Sequence, residues 1–439
     1  MSKELSAVVL AAGLGTRMRS ATPKHLHPLL GRRLVDWVID AVRELDPKPL
    51  IVVTSPDTQD AFPGVEVAVQ EEPRGTGDAA AAAREALDGF AGDVLVVSGD
   101  AAAIPAETLE GLVETHRSAG AAATVLSFER DDPGDYGRIV RGSDGRLEEI
   151  VEAGDASNEQ RAITEVNSSI YVFDAGKLWP ALERLRPENR QGELYLTDTV
   201  RELVGAGDPV AVFKAHDDVE IGVNTRAELA ATAAQLRDRI NDVHMLAGVT
   251  IVDPQTTWID PTVELEPDAV IHPFSVLRGT TRIGGGAEVG PHVVAVDAEV
   301  GPRVSVGPFA YLRPGTVVDE DAKVGTFVEL KKTRIGPRTK VPHLSYLGDA
   351  EVGEDTNVAA GNITVNFPHE PGKPKGRTKI GRNVRTGVQN AFVAPVEIGD
   401  DAWVAAGSVI TDDVPPGSLA IARARQINKE RHADRNRDD

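Results

Sequence analysis

The sequence predicts an α/β chain in two parts: a Rossmann-like, mostly parallel sheet domain, followed by a parallel β-helix of hexapeptide repeats. Three observations predict it. Up to about residue 225, short apolar runs alternate with amphipathic segments, the pattern of an open sheet with parallel strands. Beyond about 250, branched apolar residues recur every six positions, a period that belongs to neither an α-helix nor a simple strand. Aromatic residues are only 4% of the chain, against 42 Gly and 28 Pro, which suits a narrow aliphatic core with many corners.

In order, "SAVVLAAG" reads as a strand running into a loop, "LVDWVIDAVREL" as a helix, "PLIVVTS" as a strand, "GDAAAAAREALDGF" as a helix, and "DVLVVSGD" as a strand ending at Gly99 and Asp100. Ligands of such sheets bind beyond the carboxyl ends of the strands; "AAGLG" and "SGD" both fall there. "LAATAAQLRDRINDVHML" reads as one linking helix. The hexad anchors run Ile259, Leu265, Ile271, Leu277, Ile283, Val289, then Val300, Val306, Leu312, Val318, Val324, Leu330, with further runs through Val341, Val358 and Ile380 to Ile410. Each hexapeptide would form one flat side, and three sides one turn. Between Val358 and Ile380, "NFPHEPGKPKGRTK" breaks the phase and is expected to extrude as a loop able to carry binding groups. The expected organisation is a domain over 1–225, a linking helix over 226–250, a β-helix over 251–422 and a charged tail over 423–439.

Composition narrows the function. The chain has 439 residues, 41% of them hydrophobic, and a formal charge of −21. That charge argues against nucleic-acid and membrane partners, while leaving room for a local basic site. With no Cys, disulfides, thiolate metal sites and Cys nucleophiles are excluded. "MSKELSAVVL" lacks the layout of a signal peptide, and no apolar run reaches a membrane span, so a cytoplasmic location is expected.

The chemistry starts at "LAAGLGTRMRSATPK", Leu10 to Lys24. Small residues after a strand, with Arg17 and Lys24 close by, suit a loop that wraps phosphates; an ordinary strand–helix turn is the bland alternative. The stretch has neither the GK[ST] ending of a Walker A loop nor a complete GxGxxG. "LAAGLGTRM" followed by "PK" instead resembles the signature of sugar-nucleotide pyrophosphorylases. Together with the hexapeptide half, nearly the whole chain resembles the bifunctional bacterial N-acetylglucosamine-1-phosphate uridyltransferase/glucosamine-1-phosphate N-acetyltransferase family. The resemblance implies a left-handed coil and synthesis of UDP-N-acetylglucosamine, a peptidoglycan precursor. Acetyl-CoA would acetylate glucosamine-1-phosphate, and UTP would then donate its uridylyl group to N-acetylglucosamine-1-phosphate, releasing pyrophosphate.

In the first half, the resemblance implies that Ala11, Ala12 and Gly13 receive uracil and ribose, and that Arg17 and Lys24 act on the phosphates. Gln70, Gly75 and Thr76 of "QEEPRGTGDA" would recognise the base, although Arg74 stands where the family has an apolar residue. Asp100 and Asn224 would hold Mg²⁺, with a turn residue and a helix cap as their respective bland readings. Gly137, Glu152 and Asn167 would grip the sugar, and "NRQGELYLTD", centred on Glu193 and Tyr195, matches a further segment. After Asp100 the chain has "AAAIP", where the family has Pro-Leu. Attack of one anion on another needs gathered positive charge rather than a protein nucleophile, and Mg²⁺ needs few protein ligands because substrate phosphates and water complete its shell.

In the second half, the resemblance implies that Arg313 and Lys331 hold the sugar phosphate, that His343 is the general base, and that Tyr346, Asn357 and Asn366 complete the acceptor site. A base is needed because the amine must lose a proton as it attacks the thioester. Ala360, Ala405 and Arg423 would contact acetyl-CoA. Departures cluster here: Phe367 replaces Tyr, Val388 replaces Ser, Asn362 replaces Thr, and the loop after Asn366 is longer, leaving Lys373 and Lys375 as rival candidates for one contact. A monofunctional sugar-1-phosphate nucleotidyltransferase, with a weakened or altered acyltransferase half, is therefore the alternative; a scaffold with neither site working is another. The resemblance also implies a homotrimer, consistent with the flat sides of a prism and with closed symmetry.

Overall fold

A computed structural model describes residues 3–13, 15–215, 222–368, 372–430 and 432. The chain divides into two compact units, Met1–Leu236 and Arg237–Asp439. The division falls inside one helix, Arg226–Leu246, somewhat longer than the stretch read as helical. Part of the tail placed at 423–439 lies outside the described residues.

In the first unit, the main sheet runs in the order Val210–Lys214, Ala123–Glu129, Glu165–Asp174, Asp93–Ser98, Leu5–Leu10, Leu50–Thr54, Glu66–Val69. Glu165–Asp174 is antiparallel to both neighbours; the other pairings on this path are parallel. The strands are continuous apolar runs because both faces are covered. Val8, Val53 and Val96 pack on one side with Ala79, Ala80 and Leu178. Ala7, Val9, Val52 and Val97 pack on the other with Val35, Val38, Leu109 and Leu112. The alanine-rich stretch forms a shorter helix than its composition predicts, Thr76–Ala82. It tightens into a 3₁₀ turn at Glu85–Leu87, which buries Leu87 in the core.

In the second unit, two- to four-residue strands stack into three parallel faces, each strand pairing with the one a full turn later. The first face begins at Thr250–Ile251 and resumes at Arg385–Thr386, the second begins at Trp258–Ile259 and the third at Glu264–Leu265. This is the left-handed β-helix. The hexad residue of each strand points inward and its predecessor outward: Ile271, Leu277, Ile283, Val289, Leu312 and Leu330 are at most 1% exposed. The repeat holds further than the sequence reading placed it. Ile363–Val365 is a regular strand between Tyr346–Gly348 and Ala391–Val393. Its inward position is Thr364, whose hydroxyl exchanges hydrogen bonds with Gly348, so a polar residue can occupy a hexad anchor where the backbone supplies partners. The insertion therefore begins after Val365. Asn357 joins the two segments of the first face, bridging Lys340 and Arg385.

Candidate functional site

Leu5–Leu10 and Asp93–Ser98 are adjacent and parallel, so the loops that follow them leave the same edge of the sheet. Ala11 continues the first strand, donating to Val53 O at 2.7 Å. Ala11 and Ala12 are buried, whereas a side chain added at Gly13 would meet nothing within 4 Å. The space beside Gly13 is therefore open to a ligand. Gly15, which the sequence reading passed over, is needed for the next step: at φ 59°, its missing Cβ would stand 2.4 Å from Lys24 Cβ. Its absence lets Lys24 return beneath the loop.

Lys24 pairs with Asp100 and also donates to Asn224 Oδ1 at 3.1 Å. Arg17 donates to Asn224 Oδ1 and to Asp135 Oδ2, both at 3.0 Å. The Asp100 and Lys24 side chains are only 12% and 15% exposed. Burial alone would push the Asp100 carboxyl up, but the Lys24 charge and hydrogen bonds from Lys24 and Ser98 outweigh it and hold it below the usual carboxylate range. Asn224 is free for this site because its neighbour caps the helix: Thr225 Oγ1 accepts from Glu228 N at 3.2 Å, and Glu228 Oε2 accepts from the N–H groups of Asn224 and Thr225, each at 2.7 Å. This is a capping box, and it answers the helix-cap alternative for Asn224. Two oxygens from distant segments thus converge on one positive charge, which is what a hard cation with few protein ligands requires. Among the described residues, no cluster of three or more His, Asp or Glu side chains is arranged to hold a metal by itself.

Gln70 Nε2 donates to Gly75 O at 3.1 Å and to Asp78 Oδ2 at 2.8 Å. A carbonyl and a carboxylate only accept, so the amide is oriented and its Oε1 remains as an acceptor. Thr76 Oγ1 accepts from Leu196 N at 3.0 Å, leaving its proton to donate. Gly75 has φ 117°, and a Cβ there would lie 2.5 Å from Leu194 O. Gly75→Ala is accordingly expected to lower the melting temperature of the first unit by several degrees, with a loss of about 1–3 kcal/mol, as thermal unfolding would measure. Arg74 is no obstacle to base recognition: its side chain points outward to Glu72 at 2.8 Å, and its backbone O accepts from Leu194 N at 2.7 Å. Ala101, Ala102 and Ala103 are buried, so the altered loop after Asp100 is packed into the core.

Gly137, Glu152 and Asn167 come together where the Arg138–Arg141 ribbon meets the main sheet. A Cβ at Gly137 would lie 3.6 Å from both Asn167 Cβ and Glu152 Oε1, and Asn167 N donates to Gly137 O at 2.9 Å. Burial pushes the Glu152 carboxyl up, opposed by a hydrogen bond from the Thr197 hydroxyl at 3.1 Å. Tyr195 flanks a cavity of about 390 Å³ that also borders Glu152.

In the second unit, the predicted acetylation residues other than Asn357 lie about one corner and along the second face beside it. His343 closes the strand Lys340–His343, and Tyr346 opens the strand Tyr346–Gly348. Backbone hydrogen bonds stack the corner above: Gly361 N to His343 O at 3.2 Å, Gln389 N to Ala360 O at 2.8 Å, and Gly407 N to Val388 O at 2.9 Å. His343, Ala360 and Val388, far apart in sequence, are thus successive rungs. In lower turns the same corner is closed by a stack of exposed rings, Phe274, His292, Phe309 and Phe327, with centroids 4.7–5.2 Å apart. Above Leu344 the rings give way to Gly361, Gln389 and Gly407. Ala405 pairs with Ala420 at 2.9 Å, and Arg423 Cδ lies 3.9 Å from the side-chain position of Gly407.

Arg313 is held by Glu329 at 2.7 Å. The Lys375 ammonium beside Lys331 pushes the Lys331 amine below its ordinary value. Lys375 also lies 5.7 Å from the Phe367 ring, so a cation–π contact occupies the face of the residue that replaces Tyr. Of the two rival lysines, Lys375 is the one set against Lys331. Asn366 Nδ2 donates to Asp349 Oδ2 at 2.5 Å; it and the Tyr346 hydroxyl both border Gly348. Asn362 is fully buried and donates inward to Thr386 Oγ1 and Gly387 O, each at 3.1 Å, so that departure lies in the core. Asn357 stands on the first face, in register with Lys340.

Residues 7–238 match the model of the MobA-like NTP transferase domain. The bifunctional protein GlmU of Streptomyces avermitilis is 49% identical over 97% of this chain and 93% of its own length. The chain belongs to the GlmU family. Streptomyces coelicolor GlmU is likewise 49% identical over 97% of this chain and 93% of its own length, and Mycobacterium bovis GlmU is 45% identical over 99% and 93%. Membership covers both units, so the hexapeptide half is as much a GlmU feature as the nucleotidyltransferase half. Among the described residues no helix is long and apolar enough to cross a membrane. Besides Gly15, sequence reasoning missed Ser98, Asp78 and Asp135. They hold the matched residues rather than forming a motif: Ser98 and Asp78 act from nearby in sequence, and Asp135 is brought to Arg17 by the fold.

Proposed function

We propose that the chain makes UDP-N-acetylglucosamine at two separate sites, with the roles below. It is a uridylyltransferase and acetyltransferase of the GlmU family. The observation that carries the first site is the convergence of Asp100, Asn224, Lys24 and Arg17 on one charge-rich point at the strand ends. Asp100 and Asn224 fit Mg²⁺, which when bound would neutralise triphosphate charge. Lys24 and Arg17, now paired with those same oxygens, would turn to the phosphates and to the leaving pyrophosphate. Gln70 Oε1 would accept from the uracil N3–H, and Thr76 would donate to a uracil carbonyl, an arrangement that cytosine cannot satisfy because its N3 is an acceptor. Gly137, Glu152 and Asn167 would hold the sugar so that its phosphate oxygen attacks the α-phosphorus in line.

At the second site, Arg313, Lys331 and Lys375 would hold the phosphate of glucosamine-1-phosphate. His343 would take the amine proton as nitrogen attacks the thioester carbon, and the departing CoA would be held by Ala360, Ala405 and Arg423. Tyr346, Asn357 and Asn366 would orient the acceptor.

A homotrimer is part of this reading, supported by the contrast between faces. The second face turns Trp258, Val276, Val294, Tyr311, Tyr346, Ile363, Ala391 and Val409 outward in register, interrupted by Glu329, beside the exposed ring stack. The third face turns out Glu264, Arg282, Glu299, Arg334 and Glu351, with ion pairs such as Arg282–Glu264 at 3.0 Å. A charged face suits water; an apolar one suits another copy.

The test is pyrophosphate release from UTP, dTTP and CTP with a panel of sugar-1-phosphates, together with CoA release with and without glucosamine-1-phosphate. UTP with N-acetylglucosamine-1-phosphate should exceed CTP by at least about tenfold. Absence of acceptor-dependent CoA release would overturn the bifunctional reading and favour the monofunctional alternative.

A further inference from the structure

The strand that carries Asn167 is distorted just beyond it. Asn167 pairs with Ser127 and Tyr171 with Val125, so four steps on one strand match two on its neighbour. Ser169, inside the bulge, has φ 62°, a left-handed conformation that a residue with a side chain adopts only when its surroundings impose it. In a regular strand, residues four apart are separated by about 13 Å. Here the bulge brings the two side chains together: Asn167 Nδ2 donates to the Tyr171 hydroxyl at 2.7 Å.

The same bulge supplies a second constraint. Ser169 N donates to Asn167 Oδ1 at 3.2 Å. A backbone N–H can only donate, so it identifies the oxygen end of the amide and leaves the NH₂ end to Tyr171. A flip would set the NH₂ group against the Ser169 N–H and lose that bond, so Ser169 fixes which end is which. The Tyr171 hydroxyl, which can donate or accept, then holds the NH₂ end in place. Asn167 and Tyr171 are 2% and 1% exposed, so water cannot readily replace either partner. The Tyr171 ring is fixed in turn by stacking on Phe173, with centroids 5.6 Å apart. What remains of the Asn167 amide is one N–H and one oxygen lone pair, in a single orientation.

We propose that Tyr171, with the bulge that delivers it, is a positioning residue that locks the Asn167 amide so that its spare donor and acceptor face the sugar. The proposal rests on the reading that Asn167 contacts the sugar. It adds a residue that touches no substrate and acts only through Asn167.

The test is initial-rate kinetics of pyrophosphate release by the full chain carrying Tyr171→Phe, which keeps the ring and its stacking. Losing one neutral hydrogen bond should raise the KM for N-acetylglucosamine-1-phosphate by about three- to tenfold, with the KM for UTP within twofold of the parent. Asn167→Ala should raise the sugar KM by at least as much, and Tyr171→Phe added to it should cause no further rise. Unchanged sugar KM in Tyr171→Phe, with a raised value in Asn167→Ala, overturns the positioning role alone. Unchanged sugar KM in Asn167→Ala overturns the underlying sugar-site reading and the proposal with it. Equal increases in both KM values for Tyr171→Phe would show a merely structural role and also overturn the proposal.

Discussion

Asp100→Ala is expected to lower UTP-dependent pyrophosphate release by about a thousandfold, the order of loss when a charge-stabilising group leaves a transition state. CoA release from acetyl-CoA and glucosamine-1-phosphate should stay within twofold. The reason is geometric: Asp100 and Asn224 present oxygens to the same point, now filled by the Lys24 ammonium. Removing Asp100 leaves Lys24 mostly buried with Asn224 as its remaining oxygen partner. Asp100→Asn, which keeps the shape, should lose nearly as much activity with a smaller drop in melting temperature. The pH dependence follows from the depressed carboxyl. A group whose folded value lies below its unfolded value stabilises the fold above the unfolded value, around ~4. That contribution disappears as pH falls through the folded value. Acid unfolding of Asp100→Asn should therefore lack this part of the decline. Pyrophosphate release within tenfold of the parent in both variants would show the metal site to be misplaced.

His343→Ala is expected to cut acetyl transfer by about 10²- to 10⁴-fold, the range attributed to a positioned general base. Pyrophosphate release supplied with N-acetylglucosamine-1-phosphate should be untouched. His343 is exposed and its corner is built from backbone hydrogen bonds, so the substitution should leave the coil intact. The KM for acetyl-CoA should change little, because the proposed acetyl-CoA contacts Ala360, Ala405 and Arg423 lie on other turns of the coil. A rate within threefold of the parent would remove His343 as the base and point to water or another group.

These two variants also separate the sites. Each should abolish one activity and spare the other, and a mixture of the two variant proteins should restore the full two-step synthesis from glucosamine-1-phosphate.

Much of this was legible in the sequence because it is periodic or local. A six-residue repeat can be counted, and its anchors are the buried residues of the coil. "LAAGLG" after an apolar strand, and Asp100 after another, already place two loops at strand ends. The capping box at Thr225 and Glu228 is also local, yet the sequence reading left Asn224 open as a cap. The choice turns on which residue's backbone starts the helix, and a one-residue offset is below what spacing resolves.

Other features depend on chain return. No spacing rule links Lys24 to Asn224, Gln70 to Asp78 through an oriented amide, or His343 to Val388. Lys373 and Lys375 are equivalent in sequence; the fold alone sets Lys375 against Lys331. Thr364 looks like a break in the hexads until Gly348 is seen opposite it. The bulge at Ser169 has no sequence signal, because the residue is neither Gly nor Asn.

By itself, then, the sequence determined the two architectures and the absence of cysteine, since these follow from period and composition, and its resemblance to a family named the candidate residues of both sites. The tertiary structure decided which oxygens meet Lys24, how the Gln70 and Asn167 amides are turned, that Lys375 lies beside Lys331, and which residues stack on the corner at His343. Hydrogen bonds and ion pairs act over about 3 Å: Lys24, Asp100 and Asn224 come within that distance only by long-range folding, and the Gln70 and Asn167 amides are set by near neighbours whose turn and bulge exist only in the folded backbone.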